Sequence, residues 1–94
     1  MKTFTTNHFK RVAKKLHRNQ IPVLEKAIET IQSDPALGES KVGDLLGVRV
    51  YKFHILSQLM LLAYTYDESV DEMMLLYVAP HENFYDALKK QIKS

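Results

Sequence analysis

The 94 residues carry 13 Lys and Arg against 11 Asp and Glu, a formal charge of +2 at pH 7, and no cysteine, which sets the scale of one domain around one core. Without cysteine the chain has no disulfide framework, no thiolate metal site and no thiol redox chemistry, and so weak a net charge argues against tight nucleic-acid binding by charge alone. No apolar run approaches the roughly 18–20 residues of a membrane span, and the opening MKTFTTNHFK lacks the apolar stretch of a signal peptide, so a soluble, cytoplasmic protein that avoids the membrane is expected.

Met1 to Thr5 reads as a short edge strand, and Thr6 or Asn7 suits the N-cap of a following helix. Phe9, Val12, Ala13 and Leu16 then recur at helical spacing, with Lys10, Arg11 and Lys14 on the remaining surface. The cations are clustered: Lys2, Lys10, Arg11, Lys14, Lys15 and Arg18 all precede the first acid, Glu25, whereas Asp67, Glu68, Asp71 and Glu72 crowd one late turn. Such blocks are either solvated faces or, at the N-terminal helix, a patch facing phosphate. Arg18 to Gln20 break the helical pattern and Pro22 suits the first turn of a second helix, whose apolar stripe is Val23, Leu24, Ala27, Ile28 and Ile31. So short a link predicts a helical hairpin.

Residues 34–53 read DPALGESKVGDLLGVRVYKF. The ring of Pro35 ends the helix at Asp34. Gly38, Gly43 and Gly47 supply a permissive backbone for a compact connection, after which the period becomes that of a strand. Three strands are predicted, Val48 to Ile55, Leu59 to Tyr66 and Met73 to Ala79, joined by short polar links into an antiparallel meander. The chain closes with a helix in which Phe84, Leu88 and Ile92 align. The expected fold is a single α+β domain over residues 1–94, in the order β-α-α-β-β-β-α, with the helical hairpin packed on an antiparallel sheet.

Strand parity carries a further implication. Val48, Val50, Lys52 and His54 share one face and Arg49, Tyr51, Phe53 and Ile55 the other. In the second strand Leu59, Leu61 and Ala63 oppose Met60, Leu62 and Tyr64. In the third, strict alternation sets Met73, Leu75 and Tyr77 against Met74, Leu76 and Val78. Both faces are apolar, whereas a half-solvated sheet alternates apolar with polar. The hairpin covers one side; the C-terminal helix, a partner, or both must cover the other.

The DPALGESKVGDLLGVRVYKF stretch, with LLAYTYD at residues 61–67 and HENFYDAL at residues 81–88, resembles the RelE/ParE superfamily of bacterial toxins. The similarity runs from about Phe9 to the C-terminus and is strongest to the branch carrying DP..GE.K.GDL.G.RVYKF and HENFY.DLK. The resemblance implies a small toxin of a type II toxin-antitoxin system, silenced by a cognate antitoxin that covers the apolar sheet face. Its action would be either cleavage of mRNA on the ribosome or inhibition of DNA gyrase. A toxin-like partner of an antitoxin that has lost catalysis is the third alternative.

No histidine pair has metal-ligand spacing, no Gly-rich phosphate loop precedes a helix and no Ser-His-acid arrangement stands out, so neither metal nor cofactor is expected. RNA cleavage without a metal requires activating a 2′-hydroxyl, stabilising a phosphorane-like charge and protonating the leaving oxygen, work for His, Lys, Arg and Tyr. Lys52, His54, His81 and Tyr85 form such a set, with Arg49 and Lys41 as further phosphate ligands. The resemblance assigns RelE-type basic positions to Lys52 and His54, after Tyr51, and to His81, past the last strand. Its usual arginine falls on Leu61, and its C-terminal tyrosine falls on Ala87, with Tyr85 nearest. The expected roles are His54 as general base, His81 as general acid, Lys52 on the phosphate charge, and Tyr85 orienting a base or the phosphate. The plain alternatives are structural: a half-buried His54, a solvated Lys52, a helix-capping His81 and a Tyr85 that only packs.

Overall fold

Residues 1–93 are described by a computed structural model. The chain runs β1 (Lys2–Thr5), α1 (Asn7–Lys14), α2 (Ile21–Ser33), β2 (Glu39–Ser40), a 3-10 turn at Gly43–Leu45, β3 (Arg49–Ile55), β4 (Gln58–Asp67), β5 (Glu72–Pro80) and α3 (Phe84–Lys93). The strands form one sheet ordered β1-β5-β4-β3-β2. The central meander is antiparallel, as its turns require, but β1 lies parallel to β5 at the sheet edge. That parallel pairing depends on tertiary contact and has no local sequence signal. The Thr6 hydroxyl accepts the Phe9 N–H at 3.0 Å and donates to the Leu76 carbonyl at 3.1 Å, so one side chain both caps α1 and fastens it to β5.

β4 organises the core. Leu61, Leu62, Ala63 and Tyr64 are each 0% exposed, a run of four that only a strand covered on both faces can sustain. On one side Phe9, Leu24, Ala27 and Ile31 of the hairpin pack on Ile55, Met60, Leu62, Tyr64, Met73, Leu75 and Val78. On the other, Phe84 and Leu88 of α3 pack with Leu45, Val48, Val50, Leu61 and Ala63. Each buried leucine contributes about 1.5–3 kcal/mol. The second face is thus covered by the chain's own helix, and the partner inferred from parity is not needed to keep this part of the sheet dry.

Parity along β5 needs a correction. Tyr64 pairs with Leu75 while Ala63 pairs with Tyr77, which makes Leu76 an extra residue, a bulge. Beyond it the alternation shifts by one place. Val78 therefore joins Met73 and Leu75 beneath the hairpin, and Tyr77 and Ala79 join Leu76 beneath α3. A bulge of this kind has no marker in the local sequence, because Leu76-Tyr77-Val78 is apolar whichever way it points.

The loop after α2 is tied to the core by one phenol. The Tyr64 hydroxyl donates to the Pro35 carbonyl at 2.7 Å and accepts the Gly38 N–H at 2.9 Å. A Cβ on Gly38 would lie 2.6 Å from that oxygen and 2.8 Å from a ring carbon, so Gly38 is required for close approach. Replacing Gly38 by alanine should cost about 1–3 kcal/mol through overpacking. Tyr64→Phe should cost about 1–3 kcal/mol by orphaning the Gly38 N–H, and urea midpoints of the two single variants and the double variant, expected to be less than additive, check both.

Leu56, in the turn between β3 and β4, has φ 57° and is 88% exposed. A leucine there carries left-handed backbone strain with no packing in return. Leu56→Asn should raise stability by about 0.5–1 kcal/mol, read as a higher urea midpoint.

Candidate functional site

β3 and β4 set the geometry by register. Lys52 pairs with Leu61 and His54 with Leu59, and Leu61 pairs onward with Ala79. The His81 N–H donates to the Leu59 carbonyl at 3.0 Å, extending the β4–β5 ladder by one residue. His54 and His81 therefore flank Leu59 from opposite sides, about 10 Å apart at the backbone, with Lys52 two residues from His54 on the same face, about 7 Å along the strand. This is the face that α3 covers farther along the sheet. All three side chains are exposed and lie at the open end of that layer.

Tyr85 belongs to a neighbouring cluster. Its ring packs edge-on against Phe84, centroids 5.2 Å apart, and the Lys41 ammonium sits 5.1 Å from the ring centroid, within cation–π range. Lys41 Nζ also bonds Glu39 Oε1 at 2.9 Å. This hydrogen bond holds the Glu39 carboxyl below its ordinary range, aided by the charges of Lys41 and Lys52. The same bond, with a further contribution from Tyr85, raises Lys41. A cleft of about 240 Å³ lined by Leu37, Glu39, Val50, Tyr51 and Lys52 joins this cluster to the β3 face.

The remaining cations lie elsewhere. Arg49 donates through Nη1 to the carbonyls of Ala36 at 3.2 Å and Gly38 at 2.8 Å, near Tyr64 on the hairpin side of the sheet. Lys10, Arg11 and Lys14 stand exposed on α1, in the layer opposite α3. The structure thus joins Lys52, His54 and His81, sets Tyr85 with Lys41 beside them, and leaves Arg49 and the α1 cations apart. A second cavity, about 350 Å³, lies between α2 and β3 and is lined by Pro22, Val23, Lys26, Ala27, Thr30, Tyr51, Phe53 and His54. Because β2 pairs only with Val50 and Arg49, the edge of β3 from Tyr51 onward is open along this groove.

A family model for the ParE-like toxin of type II bacterial toxin-antitoxin systems matches residues 3–89. The chain belongs to that family. Two solved structures have the same fold as this toxin: a chain of the intact E. coli RelBE toxin-antitoxin complex, with TM-score 0.68 and 16% identity over 86% of this chain and 96% of that one, and the isolated E. coli RelE toxin, with TM-score 0.66 and 16% identity over 96% and 97%. No curated protein matches the toxin by sequence.

Membership of the RelE/ParE superfamily accords with the resemblance carried by the RVYKF and HENFY strings, and the fold accords with the expected helix-and-sheet order. Leu61, the position onto which the resemblance places an arginine, is fully buried in the core cluster that also holds Val50 and Leu88. Among the described residues no three His, Cys, Asp or Glu side chains gather closely enough to hold a metal ion. Glu39 was not singled out from the sequence. Its signal was available, since Glu39 and Lys41, two apart in extended chain, project to one side.

Proposed function

We propose that the toxin is a ribosome-dependent mRNA endonuclease that works without a metal ion, with Lys52, His54 and His81 as its catalytic groups. The observation that supports this reading is the register that sets three exposed groups on one face, with His54 and His81 on either side of Leu59 and Lys52 two residues along the strand. In the proposed reaction His54 takes the proton of a ribose 2′-hydroxyl. The 2′-oxygen forms a bond to phosphorus, Lys52 balances the added negative charge, and His81 gives a proton to the 5′-oxygen as its bond to phosphorus breaks. The products are a 2′,3′-cyclic phosphate and a 5′-hydroxyl. Histidine suits both transfers because its unperturbed pKa lies near neutrality. Tyr85 orients the base or phosphate on one side of the break.

The partner in this reading is an antitoxin in the same cytoplasm. The RelE-like neighbour was solved in a RelBE toxin-antitoxin complex, and here the open β3 edge and the apolar groove beside it offer a strand-and-side-chain mode of recognition. His54 borders that groove, so an occupant would contact one member of the site. When the antitoxin binds, amide exchange across Tyr51–Ile55 should slow by at least tenfold relative to the free toxin, measured by mass spectrometry; unchanged exchange there would place the antitoxin elsewhere.

One observation favours a second reading. With Leu61 in the core, the face lacks the arginine that would grip a phosphate with two hydrogen bonds, and a toxin that inhibits DNA gyrase by binding alone does not need one. Pulse-labelling within minutes of induction separates the two: early loss of protein synthesis supports the ribonuclease, early loss of DNA synthesis supports gyrase. For the ribonuclease, His54→Ala and His81→Ala should each reduce cleavage of ribosome-bound mRNA about 10²- to 10⁴-fold with folding retained. Full activity in both variants would rule out these roles.

A further inference from the structure

Glu39 lies beside the proposed catalytic groups, yet the reaction above gives it no role. Its carboxylate is 61% exposed, whereas the Lys41 side chain that it bonds is only 19% exposed and packed on Tyr85. The lysine is therefore the fixed half of the pair and the carboxylate the displaceable half. Exposed ion pairs of this type contribute at most about 1 kcal/mol, so a competing anion can replace the carboxylate at little cost. The cleft that Glu39 lines has Lys52 among its walls, with Leu37, Val50 and Tyr51 as the others. Glu39 also lies within the field of Lys52.

We propose that this cleft is a second phosphate subsite, adjacent to the one being cleaved, and that Glu39 occupies the place of an RNA phosphodiester until RNA arrives. The inference rests on the ribonuclease reading. A phosphodiester carries one negative charge, as a carboxylate does, so the exchange leaves the net charge beside Lys41 and Lys52 unchanged and turns Glu39 out to water. Tyr85 holds Lys41 in position before binding. The consequence is selectivity: free anions and single nucleotides compete with an intramolecular carboxylate, whereas a polymer already anchored at the catalytic face supplies its next phosphate at high effective concentration.

The test compares the wild-type toxin with the Glu39→Gln variant, using a short labelled single-stranded RNA whose 2′-hydroxyls are methylated to prevent cleavage, followed by fluorescence anisotropy. Glu39→Gln should bind about two- to fivefold more tightly at low salt, and its log–log salt dependence should be steeper by about 0.7, one additional free cation on a single strand. Glu82→Gln, an acid next to His81 and outside the cleft, serves as the control for a general change of charge and should leave affinity nearly unchanged.

A series of RNAs in which one linkage at a time is a neutral methylphosphonate locates the effect: the advantage of Glu39→Gln should vanish for one linkage only. An advantage that declines evenly across all linkages, or that Glu82→Gln reproduces, would overturn the subsite. RNA bound equally by wild type and Glu39→Gln, or by neither, would overturn the subsite while leaving the ribosome-dependent ribonuclease reading intact, which the loss of mRNA cleavage in His54→Ala and His81→Ala tests separately.

Discussion

The covering of β4 on both faces is the constraint from which the rest of the molecule follows. Four consecutive residues with no exposed surface require two apolar layers, and a chain of this length has few ways to supply them. The α1–α2 hairpin forms one layer and α3 the other, each pressed on the same strand from opposite sides. With the centre of the sheet so enclosed, polar chemistry is displaced to where the layers end: the open end of the α3 side, the edge of β3, and the loop after α2. The candidate site occupies this perimeter. Leu61 shows the trade directly, because it stands in register with the exposed Lys52 and yet belongs wholly to the core.

Two local irregularities then shape the perimeter. The bulge at Leu76 places Tyr77 next to Phe84, ring centroids 5.4 Å apart, and so helps seat the start of α3 and, with it, Tyr85. The brevity of β2, two residues long, leaves most of β3 without a neighbour on its outer side. A longer β2 would bury the backbone beside Lys52 and His54 and close the groove against α2. An open strand edge is a hazard for aggregation unless something blunts or occupies it. Here Lys52 and His54 lie along it and supply polar side chains at the edge.

Most of the architecture could be read from punctuation and period. Thr6, Pro22, Asp34-Pro35 and Gly47 mark ends that the structure places within a residue or two, and the doubly apolar strands announced a sheet with two covered faces. The misses have a common physical origin. The parallel docking of β1, the bulge in β5 and the two-residue β2 are each set by long-range contact, which local propensity does not encode. For the site, strand parity was sufficient to put Lys52 and His54 on one face, whereas His81 was picked out by the resemblance and its nearness depends on the β4–β5 pairing. Parity alone also assigned Arg49 correctly to the opposite face, where its guanidinium bonds two carbonyls of the loop after α2.

Tyr85 joins the stability of the fold to the organisation of the site. It is held by its place in α3 next to Phe84, with Leu88 one turn later, and by Lys41 over its ring; Phe84 and Leu88 are 1% and 0% exposed. The position of the phenol is therefore determined by how tightly α3 packs on Leu61, Ala63 and Val50. Loosening that contact moves Tyr85 relative to Lys41, whose backbone N–H bonds the Val48 carbonyl at 3.0 Å, while leaving Lys52 and His54 in place, since they belong to a strand hydrogen-bonded to β4. The face thus divides into a half built on the sheet, which carries Lys52 and His54, and a half carried by α3, which carries Tyr85. Core substitutions under α3 act on the second half before the first.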